Sequence, residues 1–298
     1  MGKAQLDPAL GIRVLGSRAL RYETRGELGE DRPAHVRAAS GLAMIGGRLA
    51  VIQDDAAFIA FVAGDEVSAV PLPRGAGGRR RFEVGIGNKA EKLDLEACVA
   101  IGDELWAFGS GSTPSRDRIA IVGYDTRIHG AEPLYRRVRD ELEGPCNIEG
   151  AACVGNELWL FHRGNTSASD VPAVVRFDRA AVARWIAGDG PVPEPSWSEP
   201  YDLGGYGFTD AVEHEGRVFY LAAAEASPNA IDDGAVTGAQ LGVIDGASVR
   251  ATTLALGDAP LKAEGIAFVG ARRAWISIDP DDVEKPAQLY EIELVGPW

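Results

Sequence analysis

The sequence is poor in cysteine, in long apolar runs and in positive charge. It has three cysteines, Cys98, Cys146 and Cys153, and this odd number does not indicate a disulfide framework. No apolar run reaches the roughly 20 residues that cross a bilayer, and the first residues lack the apolar core of a secretory signal. These absences predict a cytoplasmic protein with free thiols and no membrane partner.

The shortage of positive charge excludes a further class of partner. The 298 residues carry 30 Lys and Arg against 44 Asp and Glu, a formal net charge of −14. Because phosphate backbones and anionic lipids require concentrated positive charge, we predict that the protein does not bind nucleic acid. The segment 74–81, with four arginines and three glycines, is a local exception. It is interpreted either as a solvated loop or as a lid that contacts an anion.

Glycine and short apolar segments are plentiful instead, and they recur along the chain. Five segments open on an acidic or small residue, run into a short apolar strand and reach a tight turn about six residues later. A period of about 53 to 61 residues in an all-strand pattern is typical of a radial propeller. The sequence therefore predicts an all-β, five-bladed β-propeller. The openings are Ser40-Gly41-Leu42-Ala43, Glu96-Ala97-Cys98-Val99, Glu149-Gly150-Ala151-Ala152, Asp210-Ala211-Val212-Glu213 and Glu264-Gly265-Ile266-Ala267.

Each opening strand is followed by a second apolar strand after a minimal turn, which predicts a β-hairpin. Two helical patches, 134–142 and 179–186, are expected to replace or connect outer strands of the second and third blades. Five blades use nearly the whole chain, so we predict one domain over residues 1–298. The fifth repeat lacks a fourth strand, and residues 12–24 are predicted to supply it by pairing into the last blade.

The site is predicted at the face where first strands begin and second strands end, because the loops there are long and the opposite turns are minimal. The openings of the inner strands should converge at the mouth of the channel. Glu96, Glu149, Asp210 and Glu264 are therefore predicted to form an acidic funnel, with Ser40 completing the ring.

Four carboxylates in one funnel need a counter-charge, and two solutions remain open. One is a hard cation such as calcium, with Glu96, Glu149, Asp210 and Glu264 as the metal ligands. The other is a network of salt bridges with cations beside the same openings. No organic cofactor is predicted in either case. The cations concerned are Arg37, Lys92, Arg163 and Lys262.

The same funnel supplies the predicted roles in catalysis and binding. Glu149, Asp210 and Glu264 are the predicted catalytic residues, which activate water and move protons. Lys92, Arg163 and Lys262 are predicted to orient an anionic group of a polar small-molecule ligand. Ser110 and Tyr206 are further predicted ligand contacts, from a glycine-rich loop and from the segment before Asp210. His162 is interpreted either as a general base or as a packing residue.

Several segments carry a resemblance to known propellers. The strand openings resemble those of the esterase-like or phytase-like and the gluconolactonase or paraoxonase propellers, which bind calcium. The loops are similar to those of an uncharacterised bacterial propeller family, a domain of unknown function, over nearly the whole chain. The first resemblance is carried by residues 147–152 and 263–267, the second by residues 109–114, 163–165, 227–229 and 232–234.

The resemblance to calcium propellers implies that a Glu at the channel mouth holds the ion, which maps onto Glu149 or Glu264, and less closely onto Asp210. Those enzymes have six repeats where this chain has five. Five-bladed glycosidases place three carboxylates in the funnel, a set that Glu149, Asp210 and Glu264 imitate. We therefore predict a hydrolase that acts on a polar small molecule, of the esterase, lactonase or phosphoesterase kind. The alternatives are a non-catalytic binding propeller and a metal-free, glycosidase-like propeller.

Overall fold

A computed structural model describes residues 1–23, 31–75, 77–164, 170–225 and 235–298. These residues form strands, two α-helices and three short 3-10 turns. The helices are α1 (Glu132–Leu142) and α2 (Arg179–Ile186), and the 3-10 turns are Val84–Ile86, Lys89–Glu91 and Pro114–Arg116. The strands are β1 (Gly2–Lys3), β2 (Gln5–Leu6), β3 (Gly11–Ala19), β4 (Ala39–Ile45), β5 (Arg48–Gln53), β6 (Phe58–Ala63), β7 (Glu66–Pro71), β8 (Leu95–Ile101), β9 (Glu104–Gly109), β10 (Arg118–Val122), β11 (Thr126–Gly130), β12 (Ile148–Val154), β13 (Glu157–His162), β14 (Ala173–Asp178), β15 (Pro195–Asp202), β16 (Gly207–His214), β17 (Arg217–Glu225), β18 (Val236–Asp245), β19 (Ser248–Thr253), β20 (Ala263–Phe268), β21 (Arg273–Ile278) and β22 (Gln288–Val295).

The strands form five sheets, which are the blades of a propeller. Blades 1 to 4 are β4–β7, β8–β11, β12–β15 and β16–β19, each an antiparallel meander in chain order. Blade 5 is β20, β21, β22 and then β3. The five-bladed fold and its closure by an N-terminal strand are therefore confirmed. The inner strands β4, β8, β12, β16 and β20 surround the axis.

The closing strand begins and ends slightly earlier than predicted. β3 covers Gly11–Ala19 and pairs antiparallel with β22, whereas the prediction placed it at 12–24. Before it, β1 pairs parallel with β15 of blade 3 and β2 pairs parallel with β19 of blade 4. The first 19 residues thus cross the outer edges of three consecutive blades.

The turns and inner strands follow from local sequence. Gly46 and Gly47 join β4 to β5 with positive φ angles of 55° and 74°, a backbone that favours glycine and suits a two-residue hairpin turn. The middle strands are continuously apolar because a neighbouring blade covers each face. Trp106 and Trp159, at matching positions of β9 and β13, are buried between blades.

Both predicted helices are present, and both connect strands rather than replace them. α2 joins β14 to β15 within blade 3, and α1 joins blade 2 to blade 3. Leu134, Tyr135 and Val138 of α1 are buried between these two blades. No helix in the described ranges is long and apolar enough to cross a bilayer.

Candidate functional site

Every inner strand contains a β-bulge at the same place, where the pairing with the second strand skips one residue. A bulge re-aims the skipped side chain. Three of the five skipped residues are glutamates that line one cavity at the predicted face. The two others carry hydroxyl groups. The hydroxyl of Ser40 donates to the backbone carbonyl of Leu95 at 2.5 Å, and that of Thr209 donates to the carbonyl of Ala263 at 2.6 Å. Each acceptor directly precedes the skipped residue of the next blade. The skipped residues are Ser40, Glu96, Glu149, Thr209 and Glu264.

Asp210 does not occupy the predicted ring position, because the bulge of blade 4 falls on Thr209. Asp210 is fully buried and is not among the described residues that line the cavity. Its carboxylate accepts hydrogen bonds from the backbone N–H groups of Ala211 at 2.8 Å and Ile266 at 2.7 Å. Burial raises the pKa of Asp210, and these N–H groups oppose the shift. This placement indicates a structural contact between blades 4 and 5.

The cavity has a volume of about 1430 Å³ and opens on the long-loop face. Its described lining contains thirteen Asp and Glu side chains but only six Lys and Arg side chains. The cavity is therefore acidic, as the predicted funnel is. The predicted loop segments 165–167 and 226–234 lie outside the described residues.

Lys92 lies at the centre of the acidic groups of blades 1 and 2. Its Nζ lies 2.5 and 2.7 Å from the two oxygens of Asp54 and 2.6 Å from Oδ1 of Asp94. Asp94 also accepts from Ser110 and forms an ion pair with Arg116 at 3.0 Å. Burial lowers the pKa of Lys92, but the two carboxylates outweigh it, so the net shift is upward. Lys92 is thus held as an ammonium.

The carboxylates around Lys92 differ in their affinity for protons. Burial raises the pKa of Asp54 to about 7, although Lys92 opposes the shift. Burial also acts to raise the pKa of Asp94, but Lys92 and Arg116 outweigh it and the net shift is downward. Glu96 lies within 4.8 Å of both carboxylates. Burial and the charges of Asp54 and Glu149 raise the pKa of Glu96 well above its ordinary value.

Glu149 lies in a second set of contacts, which joins blades 3 and 4. Asn147 donates its side-chain amide to Oε1 of Glu149 at 2.7 Å, and Arg163 lies 3.2 Å from Oε2. The other guanidinium nitrogen of Arg163 lies 2.7 Å from Glu225. Arg163 therefore bridges two carboxylates, and Glu149 accepts from both Asn147 and Arg163.

Glu264 lies in a third set, in blade 5. Lys262 lies 3.3 Å from Oε1 of Glu264 and 3.4 Å from Asp281. Burial raises the pKa of Glu264, Lys262 lowers it, and the charge of Glu149 raises it. The net pKa is about 8. Burial likewise raises the pKa of the neighbouring Asp279 to about 6. Glu264 is therefore placed to hold a proton near neutral pH.

A fourth cation, the buried Arg37, completes the pattern in blade 1. Its guanidinium lies 2.5 Å from Asp55 and 2.6 Å from Glu83. Arg37, Lys92, Arg163 and Lys262 thus each contact two carboxylates. These four cations were predicted from the sequence, but most of their partners were not. Those partners are Asp54, Asp55, Glu83, Asp94, Glu225 and Asp281.

Most of these partners lie at the predicted face, where first strands begin and second strands end. Asp54, Asp55 and Glu225 end or follow second strands, and Asp94 precedes a first strand. The prediction took only the residue that opens each inner strand, so these neighbouring carboxylates were not included. Of the two other predicted contacts, Tyr206 lines the cavity, whereas Ser110 is buried behind Asp94 and is not part of the described lining.

His162 is fully buried, and both of its ring nitrogens are engaged. Nδ1 accepts from the backbone N–H of Asn147 at 2.9 Å, so Nε2 carries the proton and donates to Asp170 at 2.9 Å. The ring is not among the described residues lining the cavity. This geometry agrees with a packing role and fixes the loop that carries Asn147.

The predicted calcium ligands are not gathered around one point. Glu149 pairs with Arg163, Glu264 pairs with Lys262, and Asp210 binds backbone N–H groups. Asp54, Asp94 and Glu96 have oxygens within 4.8 Å of one another, which suits a divalent ion, but Lys92 already binds two of them. The residues present fit the salt-bridge network, and they fit calcium only if Lys92 is displaced.

Fold and cavity define the class of this molecule as a five-bladed β-propeller with an acidic funnel at one face. Within that class, residues 35–294 match the model of a family of unknown function, DUF6929, and the chain belongs to this family. The predicted membership in an uncharacterised family is therefore confirmed. No curated protein sequence matches this chain significantly.

Solved structures extend the likeness of fold. The chain is similar to glutaminyl cyclase of Myxococcus xanthus, with a TM-score of 0.55, 8% identity and coverage of 100% of this chain and 99% of that one. It is also similar to a candidate gluconolactonase, with a TM-score of 0.49, 11% identity and coverage of 98% and 96%. A hypothetical protein from Leishmania major has a TM-score of 0.47, 14% identity and coverage of 94% and 90%. At these identities the likeness concerns the fold.

Proposed function

We propose that the protein is a hydrolase that acts on a polar small molecule in the acidic cavity by general acid–base catalysis. One observation carries this proposal. Three glutamates stand at the same bulge position of three blades in a single cavity, and their surroundings differ. Glu149 contacts Arg163 and Asn147, whereas burial raises the pKa values of Glu96 and Glu264. Carboxyl groups whose surroundings separate their proton affinities are typical acid and base pairs.

The proposed roles follow from these surroundings. Glu149, as the carboxylate, takes a proton from a water molecule, whose oxygen attacks the electrophilic atom of the substrate. Glu264 gives its proton to the leaving group as the bond breaks. The charge of Glu149 contributes to the raised pKa of Glu264, and both side chains line the same cavity. Asn147 and Arg163 hold Glu149 in position.

Replacing either glutamate by glutamine tests these roles. We expect Glu149→Gln and Glu264→Gln to lose roughly 100-fold or more in kcat/KM, the range found for general acid–base groups. The measurement is turnover over a panel of esters, lactones, phosphoesters, aryl glycosides and N-terminal glutaminyl peptides. The last substrate is included because the Myxococcus xanthus protein of similar fold is a glutaminyl cyclase.

Glu66→Gln is the matched control, because Glu66 is exposed at the start of β7 and does not line the cavity. Normal turnover in both cavity variants would remove the assignment. If the wild-type protein turns over nothing in the panel but binds a ligand in the cavity, the non-catalytic alternative is favoured.

The pH dependence of kcat/KM supplies a second test. Glu264 is active as an acid only while protonated, and its pKa is raised to about 8. Activity is therefore expected to persist through neutral pH and to fall as the pH rises past about 8. A rate that increases steadily across this range would contradict the role of Glu264 as the acid.

Calcium remains a proposal for the cluster of Asp54, Asp94 and Glu96, in competition with Lys92. Because Lys92 already contacts two of these carboxylates, we expect the melting temperature to be the same in calcium and in chelator. The variant Lys92→Met removes the ammonium, and we expect it to melt lower in chelator and to be restored in part by calcium. Elemental analysis that finds about one calcium per wild-type chain, with melting lowered by chelator, would instead establish the ion as a native component.

A further inference from the structure

A row of hydrogen bonds leads from Asp170 to Glu149, the base of the proposed function. The side-chain amide of Asn147 donates to Oε1 of Glu149 at 2.7 Å, and the backbone N–H of Asn147 donates to Nδ1 of His162 at 2.9 Å. Nε2 of His162 in turn donates to Oδ1 of Asp170 at 2.9 Å. Asp170, Asn147 and Glu149 line the cavity, whereas His162 is fully buried.

The backbone of Asn147 depends on the histidine ring because it lies just outside a strand. β12 begins at Ile148, so strand pairing does not reach the N–H of Asn147. The carbonyl of Asn147 accepts from the N–H of Arg163 at 2.8 Å, but its N–H bonds to the side chain of His162. Asn147 is buried, and a buried N–H requires an acceptor. The ring nitrogen therefore sets the position of this backbone.

Packing alone does not account for a histidine at this place. Nδ1 must be an acceptor and Nε2 a donor at the same time, which is the neutral imidazole with its proton on Nε2. The carboxylate of Asp170 favours this tautomer, because it accepts the Nε2 proton. An apolar side chain of similar size would fill the space but would leave the N–H of Asn147 without an acceptor.

At Glu149, the amide of Asn147 makes a distinction that Arg163 does not make. One nitrogen of Arg163 lies 3.3 Å from Oε1 of Glu149 and 3.2 Å from Oε2, so it contacts both oxygens alike. Asn147 bonds to Oε1 at the shorter distance of 2.7 Å. With Oε1 occupied in this way, Oε2 is the oxygen left for a water molecule.

We propose that His162 is a positioning residue for Glu149. Held by Asp170, it fixes the backbone of Asn147, whose amide then occupies Oε1 and leaves Oε2 to take the proton from water. The proposal rests on the proposed function, since it concerns the orientation of the base in that reaction. In this role His162 acts through Asn147 and does not touch the substrate.

Two substitutions separate the two ring nitrogens. The side-chain oxygen of His162→Asn lies near the position of Nδ1, so it can still accept from the N–H of Asn147. The side-chain nitrogen of His162→Gln lies near the position of Nε2, so it can donate to Asp170 but leaves that N–H without an acceptor. His214→Gln is the matched control. His214 ends β16 and does not line the cavity, whereas Gly207, at the other end of that strand, does.

Crystal structures of the variants give a readout that requires no turnover. We expect the amide of Asn147 to stay on Oε1 of Glu149 in His162→Asn and to leave it in His162→Gln. An amide still bonded to Oε1 in His162→Gln would overturn the proposal. Nitrogen NMR of the wild-type histidines supplies a measurement that does not depend on how the variants fold. A proton on Nδ1 of His162, rather than on Nε2, would also overturn it.

Kinetics on the substrate found in the panel give the second readout. We expect kcat of His162→Gln to fall roughly 10- to 100-fold with little change in KM, because a misplaced base slows the chemical step and not binding. His162→Asn should regain most of the loss, and His214→Gln should match the wild type. Equal losses in both His162 variants, in step with their melting temperatures, would show a role in folding alone and refute the positioning role.

These outcomes keep the positioning role apart from the proposed function. A displaced amide in His162→Gln with unchanged kcat would refute Glu149 as the base, while the hold of His162 on Asn147 would stand. If the wild-type protein turns over no substrate, the hydrolase is refuted, and the crystal structures and the NMR spectrum still decide whether His162 positions Asn147 on Glu149.

Discussion

Removal of the first 24 residues is expected to unfold the propeller rather than to trim it. The deletion takes away β3, which forms the outer strand of blade 5 and pairs with β22 along eight residues of that strand. It also takes away the buried side chains of Leu10, Leu20 and Tyr22. Losing a buried side chain of this size costs about 2–5 kcal/mol, and a whole domain is stable by only about 5–15 kcal/mol.

Leu20 explains why the loss should spread beyond blade 5. Its backbone N–H donates to the carbonyl of Ala287, and its carbonyl accepts from the N–H of Val36. The carbonyl of Val36 in turn accepts from the N–H of Ala287. The residue therefore joins blade 5 to the chain entering blade 1, at the place where the ring closes. An exposed edge of β22 would remain after the deletion, and such edges promote aggregation.

Circular dichroism and thermal melting of the truncated chain measure the effect. Deletion of residues 1–6 is the control, because β1 and β2 each pair with only two residues of their neighbours. We expect this shorter deletion to keep a cooperative transition at a slightly lower temperature. A melting temperature unchanged by the longer deletion would show that blade 5 does not need its N-terminal strand.

The blades could be predicted because their signals are local. Apolar segments separated by glycine-containing turns give both the position and the pairing of the inner hairpins, and Arg179–Ile186 was predicted with the bounds that α2 has. The outer strand β11 was missed. Its sequence, Thr126 to Gly130, is polar and half-exposed, as expected for an edge strand, so it carries no apolar signal.

The site was predicted less completely, because it depends on register and on side chains from different blades. An acidic residue opens four repeats, but in blade 4 the bulge lies one residue earlier, and a shift of one residue sends a side chain to the other face. The pairing of Lys92 with Asp54 joins residues 38 apart in sequence. Only the spatial arrangement of blades 1 and 2 brings them together.

Asp210 offers the clearest separation between a structural and a functional carboxylate. It pairs opposite Leu221, at the position that Gly150 and Gly265 occupy in blades 3 and 5. A Cβ atom on Gly150 would lie 3.0 Å from the backbone nitrogen of Ala211. The inner strands therefore approach closely at the axis, and Asp210 uses that proximity to bind the N–H of Ile266 in the next blade.

Asp210→Ala is accordingly expected to lower the free energy of unfolding by about 2–6 kcal/mol, because two buried N–H groups lose their acceptor at about 1–3 kcal/mol each. Asp210→Asn should cost less, since its carbonyl oxygen still accepts one bond. Asp258→Ala, at an exposed loop position, is the control. Denaturant unfolding measures the stabilities, with turnover compared at a temperature where each variant is folded. A stable Asp210→Ala protein without activity would return Asp210 to the catalytic set, whereas an unstable one with normal activity per folded molecule assigns it to the ring.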